Sequence, residues 1–403
     1  MGATEWTVVI LVVGGRLFLP FTIPTYPLVG SVACMILDSI DQSIFQQFPA
    51  IPLDGYQSYD KSLDIYYLAI IYLSTMRNWT NPYAFKMSFF LYYYRLVGVL
   101  VFELSQVRAV LFIFPNTFEY FFDFVEAVRL GWDWKRMGKW TVIISTVLIW
   151  VFIKLPQEWW IHIAQLDMTD FIKESLFGVS ADASWGEAIA NRPWVLVLAI
   201  AGFAAIGYLC YWIVTRKAPK FDHGPRLKAD PLPAGCRGSE LYRTVKATDK
   251  IFDRALIEKV ILTGLISVIF AQYLLSDEVR GIAVFAFVAA FVVVNAGVSQ
   301  LLARLGAFKR SLLIEAVGMF IVNFGIVVGL LVFDKVLGLI DRRAPLPTTA
   351  FYVFLFTVIT VLFDRYHTVF RARDVLGRRA GEPAHHPSPP SSSNEVALPG
   401  ITS

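Results

Sequence analysis

The sequence predicts an all-α, polytopic integral membrane protein with about ten transmembrane helices, both termini cytoplasmic and no large soluble domain. Three observations predict it. Apolar stretches close to membrane length recur along the 403 residues, and a hydrocarbon core about 30 Å thick takes roughly 20 apolar residues in a helix. Hydrophobic residues make up 56% of the chain and charged residues 17%, with a mean hydropathy of +0.56, whereas a soluble domain carries about 25% charged residues. Basic and acidic residues also alternate between successive loops, as the positive-inside rule requires.

The first span, 7–30, is interrupted by Arg16, Pro20, Pro24 and Pro27. It reads as a kinked or partly re-entrant helix, too long and too broken to be a signal peptide core. Spans 62–78 and 87–105 follow, the second carrying Arg95 and Glu103. The fourth, 107–128, contains Pro115 and Asn116. These predict a break, because proline removes a backbone donor and clashes with the preceding turn. Spans 140–158, 194–215, 260–276, 281–303, 311–333 and 347–363 complete the set. Trp132, Trp134, Trp140, Trp159, Trp160, Trp194 and Trp212 sit near predicted helix ends, where aromatic rings mark the interface.

Loop charge orients these spans. The segment 129–139 is basic, and the loop 216–259 carries eleven Lys/Arg against six Asp/Glu, so both are expected to be cytoplasmic. Asp167, Asp170, Glu174, Asp182 and Glu187 are expected outside, together with the acidic segment 38–64. The chain divides into an N-terminal membrane part (1–139), two helices with an outward loop (140–215), the basic loop (216–259), a C-terminal membrane part (260–380) and a Pro/Ser-rich tail (381–403) expected to be disordered. The localisation expected is the cell membrane.

Composition excludes several classes. The net charge of +4 is spread over loops, which argues against a nucleic-acid partner. No GxxxxGK[ST] loop is present, which disfavours ATP-driven transport. His162, His223, His367, His385 and His386 form no ligand motif, and Cys34, Cys210 and Cys236 suggest no disulfide framework. Neither haem nor structural zinc is expected.

Two constellations carry the candidate chemistry. Asp38 and Asp41 are three apart, and Asp60 and Asp64 are four apart, so each pair shares one helix face. Four carboxylates at adjoining helix ends suit a hard cation, Mg²⁺ or Mn²⁺, which favours oxygen ligands and can hold a phosphate in turn. The plainer reading is a set of solvated helix caps. This spacing resembles part of the signature of the CDP-alcohol phosphotransferases, in which one Asp pair ends a helix, a second starts the next, and together they hold metal against a cytidine diphosphate. Gln42 stands where that family has Gly, Phe45 and Gln46 where it has Ala-Arg, and the gap from Asp41 to Asp60 is one residue longer. The family's site is cytoplasmic, whereas loop charge places these residues outside. The likeness covers fewer than thirty residues, and membership is not inferred.

The second constellation is Arg95, Glu103 and Glu119, followed on the face of Glu119 by Asp123 and Glu126. A charge near the bilayer centre costs about 2.5–3.5 kcal/mol on insertion scales, so such groups face the bundle interior and pair. Arg95 with Glu119 or Glu103 is the expected pair. The functional reading is a substrate or proton pathway, while Asp123 and Glu126 are expected to reach the cytoplasmic interface beside Arg129. His162 is expected to be structural, and Asn295 and Asn323 to hydrogen-bond between helices.

Two function classes follow, with a third kept open. The first is a metal-dependent transferase acting on a lipid or lipid-linked substrate through Asp38, Asp41, Asp60 and Asp64. The second is a secondary transporter or permease using Arg95, Glu103 and Glu119. The third is a non-catalytic membrane subunit. The partners expected are membrane lipids and a lipid-soluble or anionic small molecule.

Overall fold

The computed structural model describes residues 2–48, 56–166, 168–216, 219–232, 254–275, 291, 293–295, 297, 312–337 and 346–381. It is 84% helical, and no strand occurs among the described residues. Six helices there are long and apolar enough to cross a membrane: Ala3–Thr22, Pro27–Gln46, Pro82–Ser105, Lys139–Ile163, Pro193–Ile213 and Pro347–Leu376. Most of the 281–303 span, most of the 216–259 loop and the tail beyond Gly381 fall outside the description.

The expected single span at 7–30 is two helices. Helix α1 (Ala3–Phe18) runs on as a 3-10 turn to Thr22, and α2 spans Pro27–Gln46. Pro24 and Pro27 offer no amide hydrogen, so the helix cannot continue through them, and Pro27 instead opens α2 at its first position. Gly30 makes this turn compact, since a Cβ there would meet the Thr22 hydroxyl and the Ile23 backbone. Asp38 and Asp41 consequently lie within the second helix, not in a loop after the first.

Helix α3 (Tyr56–Asn78) is the axis of the bundle. From Ile65 to Leu73 every residue is buried, as expected of a helix that is apolar all round. The last helix lies along it, and α4 (Pro82–Ser105) packs antiparallel beside it. Tyr72 of α3 stacks on Tyr92 of α4 with ring centroids 4.4 Å apart. The predicted break at Pro115–Asn116 is present, dividing α5 (Ala109–Ile113) from α6 (Thr117–Gly131). Helix α7 (Lys139–Ile163) follows, then α8 (Pro193–Arg216), α9 (Arg254–Leu275), α10 (Leu312–Leu337) and α11 (Leu346–Gly381). Residues 196–213 of α8 are exposed apolar surface throughout.

One end of the bundle is tied together, and it carries the basic loops. Arg77 donates to the Pro24 carbonyl at 2.6 Å, joining the α3 end to the α1–α2 turn. Asn81 caps α4 through its side-chain oxygen, at 2.9 and 3.0 Å from the Tyr83 and Ala84 amides. Its amide nitrogen faces the carbonyls of Trp134, Lys135 and Met137 at 3.3, 3.1 and 2.9 Å. A strap, 219–232, crosses the same face. Its Asp222 and Arg226 amides donate to the Gly131 and Leu130 carbonyls at the end of α6, at 2.8 and 3.2 Å. Ala229 donates to the Thr25 carbonyl at 2.8 Å. In the C-terminal half, Asn295 donates to Asn323, and Asn323 donates to Thr357 at 2.9 Å, as expected of polar groups joining membrane helices.

The break between α5 and α6 leaves backbone groups without helical partners, and side chains supply them. Tyr94 donates to the Ile113 carbonyl at 2.7 Å, Arg95 to the Phe114 carbonyl at 2.9 Å, and the Asn116 amide donates to Glu158 at 3.0 Å. Gly98 lets the break approach α4, because a Cβ there would overlap Phe114. Gly98→Ala is expected to cost about 1–3 kcal/mol through overpacking, read as a lower thermal midpoint in detergent. Gly202→Ala in α8, with open space around it, should leave the midpoint unchanged or slightly raised.

Candidate functional site

The four aspartates converge on one cation that the sequence reading treated only as an interruption. Arg16 of α1 is buried, with its side chain 5% exposed. Its Nη1 donates to Asp41 and Asp60, each at 2.5 Å. Its Nη2 donates to Asp64 at 2.8 Å and to Asp38. A guanidinium offers four terminal N–H groups in a fixed plane, and here each terminal nitrogen serves two carboxylates. The helix-face spacing explains the arrangement: α2 presents Asp38 and Asp41, α3 presents Asp60 and Asp64, and α1 lies against both. Asp41 is fully buried and also accepts from the Gln42 amide at 2.6 Å. With all four carboxylates ionised, the cluster carries three negative charges in excess. Asp38, Asp60 and Asp64 each present an oxygen within 4.8 Å of the others.

The cluster opens into a cavity of about 120 Å³. Asp38, Asp64, Lys61, Arg95, Glu103 and Glu119 supply its charged lining, beside Tyr67, Asn116 and five apolar residues of which Phe102 is the largest. The two constellations that the sequence assigned to different functions therefore border one chamber. It lies toward the far end of the bundle: Glu103 is 21 residues beyond Pro82, about 30 Å along the helix from the basic face.

Pairing inside the chamber differs from expectation. Glu103 pairs with Lys61 at 3.2 Å, a partner the sequence reading missed. Arg95 forms no ion pair with Glu103 or Glu119; its Nη1 is committed to the Phe114 carbonyl. Its Nε is buried without a hydrogen-bond partner, as is Oδ1 of Asn116. Buried polar atoms are nearly always satisfied, so an unmet donor and an unmet acceptor at one cavity wall are notable. Glu119 accepts from Asn116 Nδ2 at 2.9 Å.

Behind the break, Glu158 holds the Asn116 amide and is itself flanked by Lys154 at 3.6 Å and His162 at 3.0 Å. Glu126 lies beside Arg129 as expected, but fully buried and against Trp79 as well, while Asp123 is half-buried and meets Ser31.

No protein-family model matches the chain, and neither curated proteins nor solved structures give a match.

Removing Arg16, itself buried, would leave four carboxylates facing one another, Asp41 fully buried and the other three partly exposed. Arg16→Leu is expected to cost up to about 3 kcal/mol, the low end of the penalty for stripping the partner from a buried ion pair, because solvent screens the three partly exposed carboxylates. Arg16→Lys should recover only part of it, because an ammonium has three donors and no planar fork. Thermal midpoint and abundance in the membrane fraction check both; an Arg16→Leu protein as stable as wild type would refute the central role of the cluster.

Proposed function

We propose that this chain is a cell-membrane enzyme, a metal-dependent transferase acting on a lipid or lipid-linked substrate that carries an anionic headgroup. The observation that supports it is the shared chamber: Asp38 and Asp64, two of the three grouped carboxylates able to ligate a hard cation, border the same cavity as Arg95, whose Nε lacks a partner. The donor set is all oxygen, and its excess negative charge suits a divalent ion such as Mg²⁺ or Mn²⁺. Asp38, Asp60 and Asp64 are assigned as the ligands, and Asp41 with Arg16 as the groups that position them. When bound, the ion neutralises phosphate oxygens and polarises the group under attack. Arg95 and Lys61 orient the headgroup from the opposite wall, and Glu119 is placed to take a proton from an acceptor hydroxyl.

A second reading, a secondary transporter, is favoured by one feature: the interrupted α5–α6 helix borders the chamber. Such interruptions mark substrate sites in transporters. The two readings part on whether a chemically altered product forms.

We further propose that the basic face is cytoplasmic. Splitting the first span adds a crossing to the ten expected, which moves the start of the chain outside and leaves the C-terminal end inside. Cysteines introduced at Ala3, Gln47 and Ser184 should all react with an impermeant thiol reagent in intact cells. Protection of Ala3→Cys with labelling of Gln47→Cys would restore the ten-helix arrangement.

For the enzyme, Asp60→Asn and Asp64→Asn should abolish the product while leaving abundance unchanged or raised, since each removes one charge from an over-anionic cluster. Lipid profiling of a deletion strain complemented with each variant reads the product, and Mn²⁺ paramagnetic resonance of the purified protein reads the ion. A normal lipid profile in both variants would overturn the transferase reading. Arg95→Lys should impair turnover through loss of the planar fork.

A further inference from the structure

We propose that Glu119, Asp123 and Glu126 of α6 form a proton relay that connects the chamber with the basic face of the bundle. The three carboxyl groups are spaced by four and three residues, so they form a row along one side of the helix. The successive rises are about 6 and 4.5 Å, gaps that a single bridging water covers. Glu119 borders the chamber. Gly131, where α6 meets the strap, lies twelve residues further along, about 18 Å away.

The hydrogen-bond geometry at Asp123 has room for a proton on the carboxyl group. The Ser31 hydroxyl is buried, and its oxygen lies 3.1 Å from the Leu28 carbonyl oxygen and within bonding distance of an Asp123 carboxyl oxygen. A hydroxyl has one proton and a carbonyl only accepts. Ser31 can donate to the Asp123 carboxylate, as its geometry has it, or donate to Leu28 and accept from the protonated acid, so this contact serves both protonation states that a relay passes through. Neither Asp123 nor Glu119 forms an ion pair with any described residue. A carboxylate in that setting is costly, and a carboxylic acid is not.

The ends of the row are also defined. At the chamber end, Glu119 faces the cations Arg95 and Lys154 and the anion Asp38, with the Tyr67 hydroxyl beside it. Tyr67 borders the chamber and donates to the Ser31 carbonyl at 3.3 Å, which links the chamber wall to the Asp123 contact. In the middle, Asp123 faces Glu119, Glu126 and Ser31. At the far end, Glu126 accepts from Trp79 at 2.8 Å and from Arg129 at 2.5 Å, with Asp230 of the strap nearby. Arg129 in turn donates to the Lys228 carbonyl of the strap at 2.8 Å.

A proton taken up by Glu119 passes to Asp123 and then to Glu126, and leaves beside Arg129. Each transfer leaves a carboxylate that accepts the next proton from the chamber side, so charge and atoms balance with no further reactant. The driving force is a pH difference or a membrane potential. This activity does not depend on the transferase reading, because no metal ligand takes part in it.

The test uses the full chain in liposomes that contain a pH-sensitive dye, with a potassium gradient and valinomycin setting the potential. Wild-type protein should carry protons faster than protein-free liposomes. Asp123→Asn and Glu119→Gln should each reduce that flux by about tenfold or more. Asp123→Glu should keep most of it, and Asp182→Asn, in the exposed loop after α7, all of it. Infrared spectra of the same samples at neutral pH should show the C=O stretch of a protonated carboxyl group that disappears in Asp123→Asn, a readout that a merely structural aspartate would not give. Each variant is first checked for a monodisperse, folded state, and Glu119→Gln carries the test if Asp123→Asn fails that check. Wild-type flux equal to the protein-free control, or either amide variant conducting like wild type, overturns the relay.

Discussion

Within the bundle a single guanidinium is shared by four carboxylates, and the placement of three helices follows from it. In a low-dielectric interior, charges of like sign close together repel strongly, while an ion pair left incomplete is severely penalised. Asp38 and Asp41 on α2 and Asp60 and Asp64 on α3 can approach one another only with a cation between them, and Arg16 of α1 is that cation. The helices cannot slide by a turn without stranding a carboxylate. The same contacts bring four acids to one guanidinium, so the feature that fixes the helices also sets two of those acids, Asp38 and Asp64, at the wall of the chamber.

The α5–α6 break shows the same economy in another form. A membrane interior offers no water to an interrupted helix, so every freed backbone group needs a protein partner. Tyr94, Arg95 and Glu158 fill that role. Arg95 is thereby fixed in orientation by one nitrogen while its Nε stays unmet. A long flexible side chain has become a directed donor, which lowers the entropy lost on ordering it around a ligand.

Much of this architecture was legible in the sequence. The all-helical membrane class followed from apolar run length, the α5–α6 break from Pro115 and Asn116, and the interhelical role of Asn295 and Asn323 from polar residues in apolar helices. The pairing of carboxylates on α2 and α3 followed from spacing by three and four. What was hidden was contact between distant segments. Arg16 read as a flaw in a single span, because the prolines at 20, 24 and 27 marked a disruption without revealing that it was a full reversal. Arg95 was assigned an acidic partner on charge alone, yet an open carbonyl at Phe114 was the closer claimant. Lys61 went unread as the partner of Glu103, since the two are 42 residues apart and only the antiparallel packing of α3 and α4 brings them together.

The hydrogen bonds of Asn81 have a mechanical consequence. One buried side chain both caps α4 and grips the connection between α6 and α7, while Arg77 and the strap bind the neighbouring turns on the same face. Helices clamped together at one end behave as rods held in a vice. Thermal bending displaces such a rod little near the clamp and progressively more toward the unclamped tip. Toward the chamber, Arg16 and its carboxylates hold α1, α2 and α3 a second time, whereas α4 is held there by the Lys61–Glu103 pair, so the bending that remains falls mainly on the α4 side of the chamber.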